Sequence, residues 1–322
     1  MAGKNHPISG RKIALFSAGV GILFIASIGA FLFFGDSEKT LEIAGRISPL
    51  YLAGLTALTF LSILLRVKRW DYFSREISGK TRITLFGKAR ALLVGIAAGL
   101  VTPAKSGELT RVLIYKKTEN IPPAKGILVL FYERVFDFLF VTIFALAFLS
   151  RFGEGRFSLA VPAIGLAGAI VLITGLLFVR KTRRAILSRA FRKTFRTERD
   201  LAEGDKIFSL KSVPGALAYS GAIWTLEFSR IALIFSLITG SIQNPFLIAQ
   251  AFSLSIIIGV ISAIPGGIGA VELSSAAIYG AIGISGTEAV AAVLIDRVVA
   301  FWPVVLAGLV FFPKVLLTGQ RK

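Results

Sequence analysis

Residues 126–150 read GILVLFYERVFDFLFVTIFALAFLS, an apolar run whose only charged residues are Glu133, Arg134 and Asp137. An α-helix needs about 20 mainly apolar residues to cross a hydrocarbon core of roughly 30 Å, so this run is long enough to span a membrane. At about 1.5 Å per residue, Asp137 lies some way in from both ends, near the middle of the bilayer. The stretch therefore predicts a transmembrane helix that carries charges at membrane depth.

The rest of the chain repeats this apolar pattern. Hydrophobic residues make up 55% of the 322 residues and charged residues only 17%, which leaves too little polar surface for a water-soluble fold. We therefore predict an all-α integral membrane protein that forms a single polytopic domain over residues 1–322. Six full-length transmembrane helices are predicted, at residues 13–34, 48–65, 126–150, 158–179, 213–238 and 288–312.

The basic residues follow the connections between apolar runs. The chain has a net charge of +19, and its Lys and Arg residues are concentrated in segments 66–90, 105–125 and 180–211. Connections that alternate with these are much less basic, as expected where cytoplasmic loops collect Lys and Arg. We attribute the charge to topology rather than to nucleic-acid binding. The pattern predicts a multi-pass plasma-membrane protein with both termini in the cytoplasm and a basic cytoplasmic loop at residues 180–212.

Two apolar regions are interrupted by Pro and Gly. Residues 91–101 end at Thr-Pro (102–103), and residues 246–264 end at Pro-Gly-Gly (265–267) before the apolar pattern resumes at residues 268–284. The distribution of Lys and Arg places the two ends of each region on one side of the membrane. We therefore predict two re-entrant helical hairpins that enter from opposite faces.

The two hairpins have similar sequence features in the same order, which we interpret as a weak inverted repeat. Many transporters use such symmetry to place a site at the middle of the membrane between discontinuous helices. The repeated elements are Pro103, Gly107, Glu108 and Glu133-Arg134 in the first half, and Pro265, Gly269, Glu272 and Asp296-Arg297 in the second.

Ionisable residues inside a membrane are candidates for function, because each costs at least about 2.5 kcal/mol to insert at the bilayer centre. Arg134 can pair with Asp137, and Glu227 with Arg230, at i,i+3 spacing on a helix. A helix that restarts after a break also presents free N–H groups that suit a phosphate. These charges either form salt bridges that fix helix register or line a polar cavity. The candidate substrate-binding residues are Lys105, Gly107, Glu108, Arg111, Glu133, Arg134, Asp137, Glu227, Arg230, Pro265, Gly266, Gly267, Gly269, Glu272, Asp296 and Arg297.

The sequence contains little that would support enzyme chemistry. It has no cysteine and a single histidine, His6, so neither a metal site nor a cofactor is predicted. No metalloprotease, nucleophile-elbow or phosphate-binding-loop motif is present in its required form. We predict no catalytic residues and expect that the protein is not an enzyme.

The chain resembles the flippase-like membrane domain of lysylphosphatidylglycerol synthases. The resemblance covers essentially the whole chain in the family's order, and it implies a polytopic domain that moves a charged or phosphate-bearing lipid between leaflets. In the synthases a soluble aminoacyl-transfer domain follows the membrane part. This chain ends shortly after Pro313, so we expect that activity to be absent. The motifs that carry the resemblance are Thr102-Pro103 to Gly107-Glu108 with Arg111, residues 132–137 (YERVFD), residues 264–269 (IPGGIG) with Glu272, and Asp296-Arg297.

Three functional hypotheses remain from the sequence. The first is a flippase-like transporter of an anionic lipid, either a phospholipid or a polyprenyl-phosphate-linked lipid. The second is an intramembrane transferase that acts on lipid-linked substrates. The third is a structural partner subunit of a lipid-modifying enzyme. A homo-oligomer is compatible with all three.

Overall fold

The computed structural model describes residues 10–34, 37–79, 84–119, 121–152 and 210–318. All regular secondary structure in these residues is helical, as predicted. The predicted span at residues 158–179 and most of the basic loop at residues 180–212 lie outside the described residues. The helices are α1 (Gly10–Phe34), α2 (Ser37–Gly45), α3 (Pro49–Ser78), α4 (Leu85–Leu100), α5 (Leu109–Glu119), α6 (Pro123–Phe152), α7 (Val213–Thr239), α8 (Pro245–Ile261), α9 (Ala270–Gly280), α10 (Gly286–Asp296) and α11 (Trp302–Thr318).

Three helical stretches in the described part of the chain are long and apolar enough to cross a membrane. They are Pro49–Ile77, Val213–Thr239 and Gly286–Pro313. The last of these joins α10 to α11 through a π-helical turn, Arg297–Phe301. These stretches establish the class as an all-helical membrane protein, whereas the count of six crossings stays a prediction.

Helix α3 continues well beyond its predicted end at residue 65. It reaches Ser78, so the interpretation of residues 66–90 as one basic loop is wrong. The cause is visible in the packing, because Arg69 is fully buried and Trp70 and Phe73 belong to the apolar core. Helix α4 then begins at Leu85, with the Thr84 hydroxyl accepting a hydrogen bond from Gly87 N. Arg66, Lys68, Arg69 and Arg75 therefore lie on helix α3 rather than in a loop.

The chain folds back on itself at the first break. After α4 ends at Leu100, a 3₁₀ turn (Pro103–Glu108) leads into α5, which packs against α4. Gly107 makes the close approach possible, because a Cβ there would lie 2.1 Å from the Ala98 carbonyl oxygen. Thr102 Oγ1 accepts a hydrogen bond from Gly107 N at 2.7 Å and so fixes the turn.

The second break reverses the chain in the same manner. Helix α8 ends at Ile261, a 3₁₀ turn (Pro265–Gly267) follows, and α9 returns along α8 with Val271 against Gly259. The returning helix, Ala270–Gly280, is shorter than the predicted 268–284. Gly269 before it and Gly283 after it both have positive φ angles, of 85° and 84°. The fold-back is thus observed at both breaks, while their entry from opposite membrane faces stays a prediction.

The apolar core forms two main clusters. One surrounds Trp70, Tyr115 and Tyr132 on α3, α5 and α6. The other surrounds Phe235 on α7 and Tyr279 on α9, together with residues of α8 and α10. The two breaks lie against each other. This arrangement brings the charged residues of both halves of the chain to one place.

Candidate functional site

A cavity of about 290 Å³ lies where the two halves of the protein meet. One part of its wall is apolar, and the other part is charged. Such a combination suits an amphipathic ligand, since pockets are mainly apolar with a few polar groups that orient the ligand. The apolar wall contains Ile63, Leu92, Ile96, Leu100, Phe252, Ile256, Ala300, Phe301 and Val304, and the charged wall contains Arg66, Arg69, Lys105, Glu108, Arg111, Glu133, Arg134, Glu227, Arg230 and Asp296.

The first group of ion pairs is centred on α6. The guanidinium of Arg69 donates two hydrogen bonds to Asp137, at 2.7 and 3.1 Å, and its Nε lies 3.6 Å from Glu133. Arg111 donates to Glu133 and, at 3.3 Å, to Glu108. Glu133 and Asp137 thus share one helix face, as their i,i+4 spacing predicts. This group ties α3, the first break and α5 to α6.

Small residues on α4 make room for these large side chains. A Cβ at Gly95 would lie 3.0 Å from Arg111 Cβ, and one at Gly99 would lie 2.7 Å from Glu108 Cγ. On its other side, the Arg111 guanidinium stacks on the Trp70 ring at 4.3 Å from the ring centroid. The position of Arg111 is therefore fixed by packing as well as by charge.

Two cationic side chains of the cavity wall keep unused hydrogen-bond donors. Arg134 lies 3.6 Å from both Glu108 and Asp137, makes no hydrogen bond within the described residues, and exposes 33% of its side chain. Lys105 is exposed and makes no ion pair with any described residue. Its φ angle of 55° is rare for a residue with a Cβ. Such strained positions occur often at functional sites.

A second group of ion pairs joins α3, α7 and α10. Glu227 accepts hydrogen bonds from Ser62 at 2.6 Å, from Arg66 at 3.1 Å and from Arg230, three residues further along α7. Arg230 also donates to Asp296 at 2.9 Å. The i,i+3 pair predicted on α7 is present, and Asp296 finds its partner on another helix. This group has as many acidic as basic residues.

The second break forms a closed arrangement beside the cavity. Gly269 N donates a hydrogen bond to Glu272 at 2.7 Å, so the carboxylate caps the start of α9. Arg297 donates to Glu272 at 3.0 and 3.1 Å and to the Gly266 carbonyl oxygen at 2.8 Å. It also stacks on the Phe301 ring. The helix N-terminus is therefore occupied by the protein's own carboxylate.

The structure brings together about half of the residues that the sequence singled out. Asp137 lies behind the wall as the partner of Arg69, and Gly107 shapes the first break. Residues of the second break are absent from the cavity wall. Those that line the cavity are Lys105, Glu108, Arg111, Glu133, Arg134, Glu227, Arg230 and Asp296, whereas Pro265, Gly266, Gly267, Gly269, Glu272 and Arg297 do not.

Sequence reasoning missed the contribution of α3. Ser62, Arg66 and Arg69 line the cavity from this helix, and Arg66 and Arg69 had been assigned to a loop. Their spacing of four and three residues places them on one helix face. Phe73, four residues further on, continues that face. The periodicity was therefore the signal that could have identified them.

The charge of the site is close to balanced, with one positive charge in excess. The six basic residues of the wall face four acidic residues of the wall and Asp137 behind it. Within the described residues, no group of three or more Asp, Glu or His side chains is arranged to hold a metal ion. The arrangement suits an anion, which would use the free donors of Arg134 and Lys105.

These features define a helical membrane protein with two chain reversals and a charged, partly apolar cavity beside the first of them. The chain belongs to the family described as lysylphosphatidylglycerol synthase TM region, whose model matches residues 17–308. The resemblance carried by the sequence motifs is thereby confirmed. Membership indicates a lipid-related role in the membrane.

Its relatives include archaeal membrane proteins of similar length. A UPF0104 membrane protein of Methanothermobacter thermautotrophicus is 26% identical over 323 residues, which cover 91% of this chain and 93% of the relative. The UPF0104 membrane protein PH1989 of Pyrococcus horikoshii is 25% identical, covering 93% of this chain and 96% of the relative. No solved structure matches the chain.

Proposed function

We propose that the protein moves an anionic lipid between the two leaflets of the membrane. The observation that carries this proposal is the pair of free donors, Arg134 and Lys105, in a cavity with one excess positive charge. A phosphate has acceptor oxygens for both side chains, and charge-assisted hydrogen bonds to it are stronger than neutral ones. The apolar wall would cover the first carbons of the lipid chains. The ligand is either a phospholipid or a polyprenyl-phosphate-linked lipid.

The cavity wall suggests how a head group would cross the apolar core. A phosphate that enters the membrane to this depth loses its hydration, at a cost on the order of several kcal/mol. The basic side chains of the cavity wall would offset that cost. Glu108, 3.6 Å from Arg134, would balance the charge of Arg134 before and after the lipid has passed. The first chain reversal borders the cavity through Lys105 and Glu108, and its irregular backbone is tolerated there because protein surrounds it.

The test is leaflet exchange in liposomes that contain the purified protein. Fluorescent phosphatidylglycerol, phosphatidylcholine and a polyprenyl phosphate would be compared by dithionite quenching, with and without a pH gradient. We expect exchange that favours the anionic lipids. Substituting Arg134→Gln removes a charge-assisted contact of about 1.5 to 3 kcal/mol, so anionic exchange should fall at least tenfold, roughly.

The matched control is Arg46→Gln. Arg46 pairs with Glu42 on the exterior, where its side chain is 68% exposed. Exposed pairs contribute little, so this variant should exchange lipids like the wild type. If no lipid moves under any condition, the flippase proposal fails and the transferase or partner-subunit hypotheses take its place.

We also propose that the protein lies in the plasma membrane with both termini in the cytoplasm. Because the chain has no cysteine, single cysteines can report the side on which each connection lies. Ile242 between α7 and α8 is 95% exposed, and Lys116 on α5 is also exposed. A membrane-impermeant maleimide added to intact cells should label Ile242→Cys and spare Lys116→Cys. Labelling in the opposite sense would invert the proposed topology.

A further inference from the structure

We propose that Arg69 is a positioning residue for the lipid site, and that it acts by occupying Asp137 so that Arg134 stays available for the phosphate. The inference rests on the proposed function, because it assigns Arg134 to the head group. It concerns a residue that lies in a basic stretch of sequence and outside every motif of the resemblance. Its basis is a competition between two arginines for one carboxylate.

The competition is visible at a single oxygen atom. Asp137 Oδ2 accepts a hydrogen bond from Arg69 Nη2 at 3.1 Å, whereas Arg134 Nη2 lies 3.6 Å from the same oxygen. The other oxygen, Oδ1, accepts from Arg69 Nη1 at 2.7 Å and from Trp224 Nε1 at 3.2 Å. Both carboxylate oxygens are therefore engaged by groups other than Arg134.

Sequence proximity alone would give Asp137 a different partner. Arg134 precedes Asp137 by three residues on α6, and such pairs commonly form ion pairs on a helix. Arg69 comes from a different helix, α3, and its planar fork binds the carboxylate through two parallel hydrogen bonds. This two-point contact prevails over the single longer contact from Arg134. Arg134 is left with incomplete pairing and faces the cavity.

Burial separates the roles of the two arginines. The side chain of Arg69 is 1% exposed and also donates to Ser220 at 2.9 Å, so its contacts are with the protein. The side chain of Arg134 is 33% exposed. A head group in the cavity can reach Arg134 more readily, and the influence of Arg69 passes through Asp137.

The experiment compares Arg69→Gln with the double variant Arg69→Gln/Asp137→Asn. In the single variant Asp137 loses its partner and should capture Arg134. The detergent-solubilised protein should then bind short-chain phosphatidylglycerol roughly tenfold more weakly or worse. In the double variant the carboxylate that would capture Arg134 is replaced by an amide. The net charge of the site equals that of the wild type. Affinity should therefore return to within about threefold of the wild type. Titration calorimetry measures both values, with short-chain phosphatidylcholine as the control lipid.

A purely structural role for Arg69 predicts the opposite pattern. The double variant lacks the whole Arg69–Asp137 pair, so it should then bind as poorly as the single variant. Equal binding by Arg69→Gln and the wild type would also overturn the proposal. If Arg69→Gln fails to fold, as judged by thermal unfolding, Arg69→Lys takes its place, because lysine keeps the charge but cannot make the two-point contact to Asp137. Weaker binding of phosphatidylglycerol by this variant supports the proposal, and wild-type affinity contradicts it.

The same titration separates this inference from the proposed function. A wild-type protein that neither binds nor exchanges anionic lipid would remove the proposed function itself. A wild type that binds, with a double variant that does not, would remove only the role of Arg69.

Discussion

A glutamate at each of the two chain reversals contacts an arginine from another helix, but the two contacts differ in how they are enclosed. At the first break Glu108 lies 3.6 Å from Arg134, and at the second Glu272 lies 3.0 Å from Arg297. The residues that the sequence aligns in the two halves thus make an acid–base contact at each break, while the inverted repeat itself stays a prediction. Arg134, however, exposes 33% of its side chain, whereas Arg297 exposes 10% and also donates to the Gly266 carbonyl.

The difference shows that one motif can serve two purposes. Glu272 accepts a hydrogen bond from Gly269 N and two from Arg297, so the second break is closed by its own side chains. Glu108 is shared between Arg111 and Arg134 at 3.3 and 3.6 Å, which leaves the first break open toward the cavity. We therefore expect substitutions at the second break to affect stability and those at the first to affect lipid handling.

The largest effect is expected for Arg297→Gln. Removing one partner of a buried ion pair leaves the other charge uncompensated, at a cost of about 3 to 5 kcal/mol in the free energy of unfolding. Thermal or denaturant unfolding in detergent would measure it. The matched variant is Arg134→Gln at the equivalent position, which should lower stability far less because its contacts are longer and more exposed. Equal destabilisation by the two variants would contradict the contrast between the breaks.

A smaller effect is expected for Gly107→Ala. The added Cβ would lie 2.1 Å from the Ala98 carbonyl oxygen, and α4 and the turn would have to separate. Overpacking of this kind costs about 1 to 3 kcal/mol. Because the shift also moves Glu108, anionic lipid exchange should fall together with the melting temperature.

The control for that variant is Gly280→Ala at the end of α9, where a Cβ would meet no atom within 4 Å. It should leave both the melting temperature and lipid exchange close to those of the wild type. A Gly107→Ala protein as stable and active as this control would show that the first break tolerates a wider turn.

The smallest effects concern two non-glycine residues that have positive φ in the described part of the chain, one at each break. These are Lys105 with a φ of 55° and Ala263 with a φ of 54°. Glycine removes a steric cost of about 1 kcal/mol at such positions. Ala263→Gly should therefore raise stability by about that amount and leave lipid exchange unchanged.

At Lys105 the same relief should come with a loss of function. Lys105→Gly and Lys105→Ala both remove the ammonium group and should lower anionic exchange equally. Only the glycine variant should gain about 1 kcal/mol of stability over the alanine variant. A difference in exchange between the two would mean that the backbone at this position, and not the charge, governs the lipid.

The local features of the site could be predicted from the sequence, because spacing along the chain determines them. The i,i+3 spacing of Glu227 and Arg230 predicted their ion pair. Asp296 and Arg297 have different partners, as adjacent residues on a helix point in different directions. The positions of both breaks followed from Pro and Gly. These features depend on residues a few positions apart.

The remainder depends on contacts between distant segments. That Glu272 would cap its own helix, while Glu108 would face a cavity, follows from the placement of Arg297, Arg111 and Arg134 in three dimensions. The end of α3 was misjudged because Arg66 and Arg69 follow an apolar run and resemble basic residues at a membrane surface. In the sequence, a buried arginine cannot be distinguished from an arginine at the membrane surface. The carboxylate partner that makes burial possible is known only from the fold.

Trp224 lines the cavity and the chain's other two tryptophans pack against lining residues, so the protein carries its own fluorescent probes of this site. Trp70 lies under the Arg111 guanidinium, Trp224 donates a hydrogen bond to Asp137, and Trp302 packs beside Phe301 at the second break. Indole emission responds to nearby charge and polarity, so the intrinsic fluorescence of the unlabelled protein comes from the region proposed to receive the lipid. Replacing one tryptophan at a time with phenylalanine would show whether a spectral change arises beside Arg111, beside Asp137 or beside Phe301.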